Sequence, residues 1–164
     1  ANPDGWIVNE NTTPRFSDSG RRLIFGIGPK PVEDKEIPDD EKVSVDIWNW
    51  QDPLLQPQQL LQASAERTRT YDVLHENGRS VLLEDGKLRT VTIPGKGDAA
   101  WGYAAEDLNY GKLVSWEGSY DDLYRVDLRS GERAVIAAKV RGFVSPSPDG
   151  KWIAYGDEEA RKVF

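Results

Sequence analysis

Residues 145–157 read SPSPDGKWIAYGD, and near the other end of the chain residues 16–26 read FSDSGRRLIFG. Aligning Ser17 with Ser147 sets Gly20 on Gly150, Leu23 on Ile153 and Phe25 on Tyr155. Each copy is a short strand, a polar turn closing on glycine, and an apolar strand. The glycine is needed because a tight turn after Ser or Asp demands a positive φ. Two weaker copies lie between, ENGRSVLL at 76–83 and DLNYGKLVSW at 107–116. The turn glycines are then Gly20, Gly78, Gly111 and Gly150. Strand–turn–strand units recurring every few tens of residues are the pattern of propeller blades.

Working outward, short apolar or alternating segments separated by Gly, Asn, Asp and Pro read as strands nearly throughout. A first blade over 12–62 has strands at 14–16, 22–27, 43–50 and 58–62. A second covers 70–93. A third covers 99–138, with strands at 99–105, 112–116, 123–128 and 133–138. A partial fourth, 142–164, has two strands. In 123–128, period two puts Tyr124, Val126 and Leu128 on one face. The expected fold class is all-β, antiparallel, with no helix longer than about two turns. At about 40–45 residues per blade, the 164 residues hold just under four blades. Closure takes at least four, so the expectation is a partial propeller belonging to a larger one. The flat faces of its first and last blades, carrying Ile24, Val45, Ile47, Val144, Ile153 and Tyr155, are then expected either to be covered by other parts of the same polypeptide or to associate with copies of the chain.

Composition narrows function. Lys and Arg number 21 against 28 Asp and Glu, for a net charge of −7, and no basic stripe is present, which argues against nucleic acid and anionic membranes as partners. No apolar run approaches the roughly 18 residues of a membrane span. Cysteine is absent, which excludes disulfides, thiolate catalysis and Cys-ligated metals. The single histidine, His75, has no GxSxG nucleophile elbow to serve, so no catalytic residue is expected in this chain. Its opening, ANPDGWIVNE, lacks the basic and apolar regions of a signal peptide. No cofactor-binding pattern is found, and none is expected.

Several features have a plain structural reading beside a functional one. Six carboxylates fall between Glu33 and Glu41. They lack calcium-loop spacing and read as a solvated insertion, with no metal expected. Trp48 and Trp50 share a strand face and serve blade packing or stacking on sugar or peptide. Asp157, Glu158 and Glu159 read as a charged turn, His75 as a turn or packing residue. Asn11-Thr12-Thr13 matches a glycosylation sequon.

The Ser-Pro-Asp-Gly turns resemble the blade signature shared by Tol-system periplasmic propellers and by the N-terminal propellers of the prolyl oligopeptidase family. The stretch VDIWNWQDPLLQPQQ at 45–59 is similar to one found in bacterial, dipeptidyl-peptidase-like members of that family. The resemblance implies a periplasmic or secreted serine peptidase whose propeller caps an α/β-hydrolase domain and restricts entry to small peptides. The family's triad lies in that hydrolase domain, which has no counterpart in this sequence. Its dipeptidyl peptidases hold the substrate amine with paired Glu after Trp-x-Tyr. Trp101-Gly-Tyr103 is followed by two alanines, with Glu106 and Asp107 displaced, and these four residues are the candidate peptide contacts. The implied partners are a peptide substrate and the hydrolase domain of the same polypeptide. A standalone Tol-type protein-binding propeller and a carbohydrate- or peptide-binding module are the competing readings.

Overall fold

The computed structural model describes residues 3–31, 38, 45, 47–52 and 54–164. Among these residues it is mostly β, with one α-helix and a single 3-10 turn, and every strand pair is antiparallel. The first sheet contains β1 (Trp6–Val8), β2 (Arg15–Phe16), β3 (Leu23–Pro29), β4 (Tyr71–Glu76) and β5 (Arg79–Leu82). Its order is β1-β3-β4-β5, with β2 also on β3. The second sheet orders β6 (Trp101–Glu106), β7 (Asp121–Asp127) and β8 (Arg133–Val140), and the third orders β9 (Val144–Pro146), β10 (Ile153–Asp157) and β11 (Lys162–Val163).

The repeat in the sequence is a repeat in the hydrogen bonding. Ser17 N–H bonds the Arg22 carbonyl at 3.0 Å and Gly20 N–H the Ser17 carbonyl at 2.8 Å. In the other copy Ser147 N–H bonds the Trp152 carbonyl at 2.9 Å and Gly150 N–H the Ser147 carbonyl at 2.9 Å. The serine hydroxyl accepts the N–H of Arg22 or Trp152 across each turn. Gly20 at φ +71° and Gly150 at φ +66° both lie in the left-handed region that the sequence anticipated. Gly78, at φ 75°, closes the β4–β5 hairpin after Asn77 at φ 52°, the pairing expected of an Asn-Gly turn.

Elsewhere the structure corrects the expectations. The strands assigned to separate blades over 12–62 and 70–93 pair in one sheet, because β3 pairs directly with β4 from Leu23–His75 to Ile27–Tyr71. The residues between them are an insertion. The strand expected at 58–62 is instead inside helix α1 (Gln56–Arg67), 12 residues long and so beyond the two-turn limit. Gln, Leu, Ala, Glu and Arg are good helix formers, and Pro57 is tolerated in the first turn, where its missing N–H has no helical partner. Gln58 accepts the Leu55 N–H through its side chain at 3.1 Å, and Thr68 donates its hydroxyl to the Ser64 carbonyl at 3.2 Å. Of the strand expected at 43–50, Val43, Ser44 and Asp46 lie outside the described residues, and 47–49 have no regular structure.

The strand expected at 112–116 is a run of turns, closed by bonds from Leu113 N–H to the Tyr110 carbonyl and from Trp116 N–H to the Leu113 carbonyl. Both edges of β7 are already taken, by β6 and β8, so the segment cannot pair beside β7 as a hairpin partner. Gly111 accordingly sits within these turns rather than between paired strands, and it is absent from the positive-φ positions. The last sheet has three strands rather than two.

The main core lies where the first and second sheets meet. Ile24 and Leu74 come from the first sheet, Leu83, Leu88 and Val91 from the connection, and Ala104, Val126 and Leu128 from the second sheet and its turn. Each large aliphatic chain buried there contributes about 1.5–3 kcal/mol. Val126 faces this core as its alternation predicts. Leu123, on the opposite face by period two, is also buried, so β7 is covered on both sides.

The two repeat glycines differ in surroundings, which sets a test. A Cβ at Gly20 would meet nothing within 4 Å, whereas at Gly150 it would come 2.8 Å from the Ala99 Cβ. Gly20→Ala should cost about 1 kcal/mol from the positive φ alone. Gly150→Ala should cost roughly 1–3 kcal/mol more, through overpacking. Chemical denaturation of the two variants checks the order, and equal midpoints would contradict the packing at Ala99.

Candidate functional site

The first sheet and the segment that connects it to the second enclose a cleft of about 490 Å3 lined by Arg15, Asp72, Glu84, Thr92, Lys96 and neighbours. Its chemistry centres on Glu84, which follows β5 and is 5% exposed. One carboxylate oxygen accepts the Asp72 N–H of β4 at 2.9 Å, and the other accepts the Val91 N–H at 2.8 Å. Val91 adjoins Thr92, which bridges to Tyr103 of β6. One buried side chain therefore ties the first sheet to the inner edge of the second. Beside it, the Asp72 carboxylate receives the Arg15 guanidinium at 2.6 Å. Burial pushes the Glu84 carboxyl up to about 7, and the Asp72 charge adds to the rise. The two backbone N–H bonds and Arg15 oppose it without cancelling it.

Sequence reading did not single out Glu84. In VLLEDG it looks like the charged start of a turn, and its bonds to the Asp72 and Val91 N–H groups, distant in sequence, are what the local pattern hides. The one available signal was an acidic residue directly after an apolar strand, which is too common to be diagnostic.

The four candidate peptide contacts are divided by β6. Trp101 and Tyr103 lie on one face, both half-buried, with ring centroids 6.4 Å apart at 53°. Glu106 lies on the other face with Gly102 and Ala104 and is buried. It accepts the Arg89 backbone N–H, while the Arg89 guanidinium reaches Glu106 at 3.4 Å and Asp107 at 2.7 Å. Both acids are thus engaged by one arginine, and the strand separates Glu106 from the aromatic pair, while Asp107 lies just past the end of β6.

His75 pairs with Ser80 across β4 and β5, Nδ1 to Oγ at 2.9 Å. No carboxylate is hydrogen-bonded to this imidazole among the described residues, so the pair is not a Ser–His–acid triad. No group of three or more His, Cys, Asp or Glu side chains among the described residues has the arrangement of a metal site. The six carboxylates of 33–41 lie outside those residues. Asp157 accepts the N–H groups of Glu159 and Ala160 in a turn, Glu158 pairs with Arg141 at 3.3 Å, and Glu159 accepts the Tyr120 hydroxyl at 2.6 Å. The three acids form a braced turn, as the sequence suggested.

A third buried carboxylate behaves oppositely to Glu84. Asp122 accepts the Tyr110 hydroxyl at 2.5 Å, the Asn109 amide at 2.9 Å and the Lys139 N–H at 3.0 Å. Burial pulls its carboxyl upward, but these donors outweigh burial and hold it below the ordinary range. The arrangement around Glu84, Glu106 and Asp122 can bind and brace.

Glu84 gives a pH prediction with a definite sign. Its folded value near 7 lies above the ordinary 4.5, so its full contribution to stability is present below about pH 4.5 and is lost as pH rises through 7. From pH 5 to 8, the wild type should lose on the order of 3 kcal/mol relative to Glu84→Gln, which carries no titrating group there. Denaturant unfolding of both proteins across that range checks it, and parallel pH profiles would contradict the assignment.

No model of a known protein family matches the chain, and no curated protein matches it.

Proposed function

We propose that the chain is the noncatalytic propeller segment of a prolyl-oligopeptidase-family serine peptidase, gating peptide substrates for a hydrolase domain elsewhere in the same polypeptide. The observation that carries this reading is a succession of contacts between turns. The Ser17–Gly20 turn of the first sheet meets the 94–99 turn that leads into the second. Ser19 N–H and Oγ bond Asp98 at 2.7 and 2.6 Å, Asp18 N–H bonds the Lys96 carbonyl at 3.1 Å, and Arg22 bonds the Gly97 and Ala99 carbonyls. The 94–99 turn in turn packs on Gly150 of the third sheet through Pro94 and Ala99. Equivalent turns side by side in chain order are what blades arranged around an axis produce.

On this reading 91–93 is the inner strand of the second blade, and the insertion before α1 interrupts the first. The VDIWNWQDPLLQPQQ stretch supports the peptidase family over other propellers. The placement of Glu106 on the face opposite Trp101 and Tyr103, with both Glu106 and Asp107 engaged by Arg89, favours gating by the propeller over amine anchoring by this motif. The implied setting is periplasmic or secreted.

The coding region beyond Phe164 tests the proposal. It should encode a Gly-x-Ser-x-Gly motif followed by an acid and a histidine, and a fluorophosphonate probe should label the full polypeptide at that serine. The 164-residue chain should neither label nor hydrolyse aminoacyl or dipeptidyl amides. A continuation lacking the motif, or turnover by the chain itself, would overturn the reading.

A further inference from the structure

In the cleft around Glu84 the acids are engaged and cationic donors remain. Glu84 accepts the Asp72 and Val91 N–H groups, one on each oxygen, and the Asp72 carboxylate is engaged by Arg15. Strand register puts Arg15 opposite Ile24 and Ile24 opposite Leu74, so by period two Arg15 shares a face with Asp72. Arg15 makes its bond through one terminal nitrogen, at 2.6 Å, and its side chain is still 51% exposed. A guanidinium carries five N–H donors in a planar fork. The Nε and Nη1 donors of Arg15 have no partner among the described residues. An arginine held through one nitrogen by a nearly buried carboxylate has little freedom left to lose when the rest of its fork binds. A second cation comes from Lys96, at φ 54° in the 94–99 turn, whose carbonyl accepts the Asp18 N–H at 3.1 Å. Its ammonium meets Asp18 at 3.4 Å with both side chains mostly exposed, a weak pair.

These groups select an anion, although the chain as a whole carries a net charge of −7. They also select its kind. The planar fork matches the two oxygens of a carboxylate. Asp72 and Glu84 line the same cleft, so a doubly charged phosphate is repelled more than a singly charged carboxylate. Ile24, Val91 and Ile93 line the rest of the wall and suit an apolar side chain beside the charge. Exposed Thr90 and Thr92 add hydroxyl donors. The volume of about 490 Å3 is that of a small-molecule site.

We propose that this cleft binds a carboxylate flanked by an apolar side chain, as at the C-terminal end of a peptide, with Arg15 as the fork, Lys96 as the second cation and Asp72 holding Arg15 in place. Binding here is independent of any peptidase activity. Isothermal titration of the full 164-residue chain with N-acetylalanylleucine tests it. The expected result is saturable binding of the free acid, with its C-terminal amide weaker by about tenfold or more. N-acetylglutamylleucine amide carries its carboxylate on a side chain instead. Equal binding of this probe also supports the site and extends it to acidic side chains, whereas weaker binding assigns it to a peptide end. Arg15→Lys keeps a cation beside Asp72 but loses the fork, so it should weaken the free acid by roughly tenfold or more while the unfolding midpoint stays near that of the wild type. Lys96→Gly, which suits the positive φ, should weaken it several-fold. Failure of both carboxylate probes to bind would overturn the proposal, as would an amide that binds as well as the acid. Inorganic phosphate binding more tightly than the acid, or an affinity unchanged in Arg15→Lys, would do the same.

Discussion

The structure depends on how the first two sheets are fastened at their turns. Strand pairing alone makes separate antiparallel sheets, and their apolar faces would be unspecified in register. The Asp98 carboxylate receives both the N–H and the hydroxyl of Ser19, and burial is negligible there. The serine bonds hold it below the ordinary carboxylate range. Arg22 adds two bonds to carbonyls of the same turn. With the turns fixed, Ile24 and Leu74 are carried onto Val91, Ala104 and Val126. The directional contacts sit at the rim and set the geometry, while the apolar contacts behind them supply most of the free energy.

Buried carboxylates perform a related task deeper in the molecule. Glu84, Glu106 and Asp122 each accept at least one backbone N–H from another segment. Backbone groups in connecting segments have no ladder to join, and an unmet buried donor costs about 1–3 kcal/mol. An acid placed beside two such donors satisfies both. Asp122 has a hydroxyl and a side-chain amide in addition, and these donors outweigh burial and keep it readily ionised. Glu84 lacks them, so burial, with the neighbouring Asp72 charge added, pushes it up to about 7.

Legibility in the sequence followed locality. The β2–β3 and β9–β10 hairpins were readable because Ser, Asp and Gly fix a turn within four residues. Their shared hydrogen-bond pattern is local. The turn at 94–99 was not recognised, because Pro94-Gly-Lys-Gly97 lacks the Ser-x-x-Gly form. Residues 112–116 have strand-like composition, yet their fate was decided by β8 occupying the second edge of β7. Leu60 and Leu61 looked like a strand core, although the surrounding Gln, Ala and Arg favour helix and no sheet edge was within reach. Of the candidate contacts, the pairing of Trp101 with Tyr103 follows from period two, and so does their separation from Glu106. The engagement of Glu106 and Asp107 by Arg89 is a long-range contact that no local pattern announces.

The claim that fastened turns set the arrangement of the sheets is open to a direct chemical measurement, since the chain contains no cysteine. Ser19→Cys and Asp98→Cys place two thiols where a hydroxyl and a carboxylate now meet at 2.6 Å. Mild oxidation of the purified double variant, followed by intact mass and non-reducing electrophoresis, reads whether they join. The account predicts rapid, nearly complete intramolecular disulfide formation and a higher unfolding midpoint than the reduced protein. Two thiols that stay free in the folded protein, each reacting with a thiol reagent at the rate of its single variant, would contradict it.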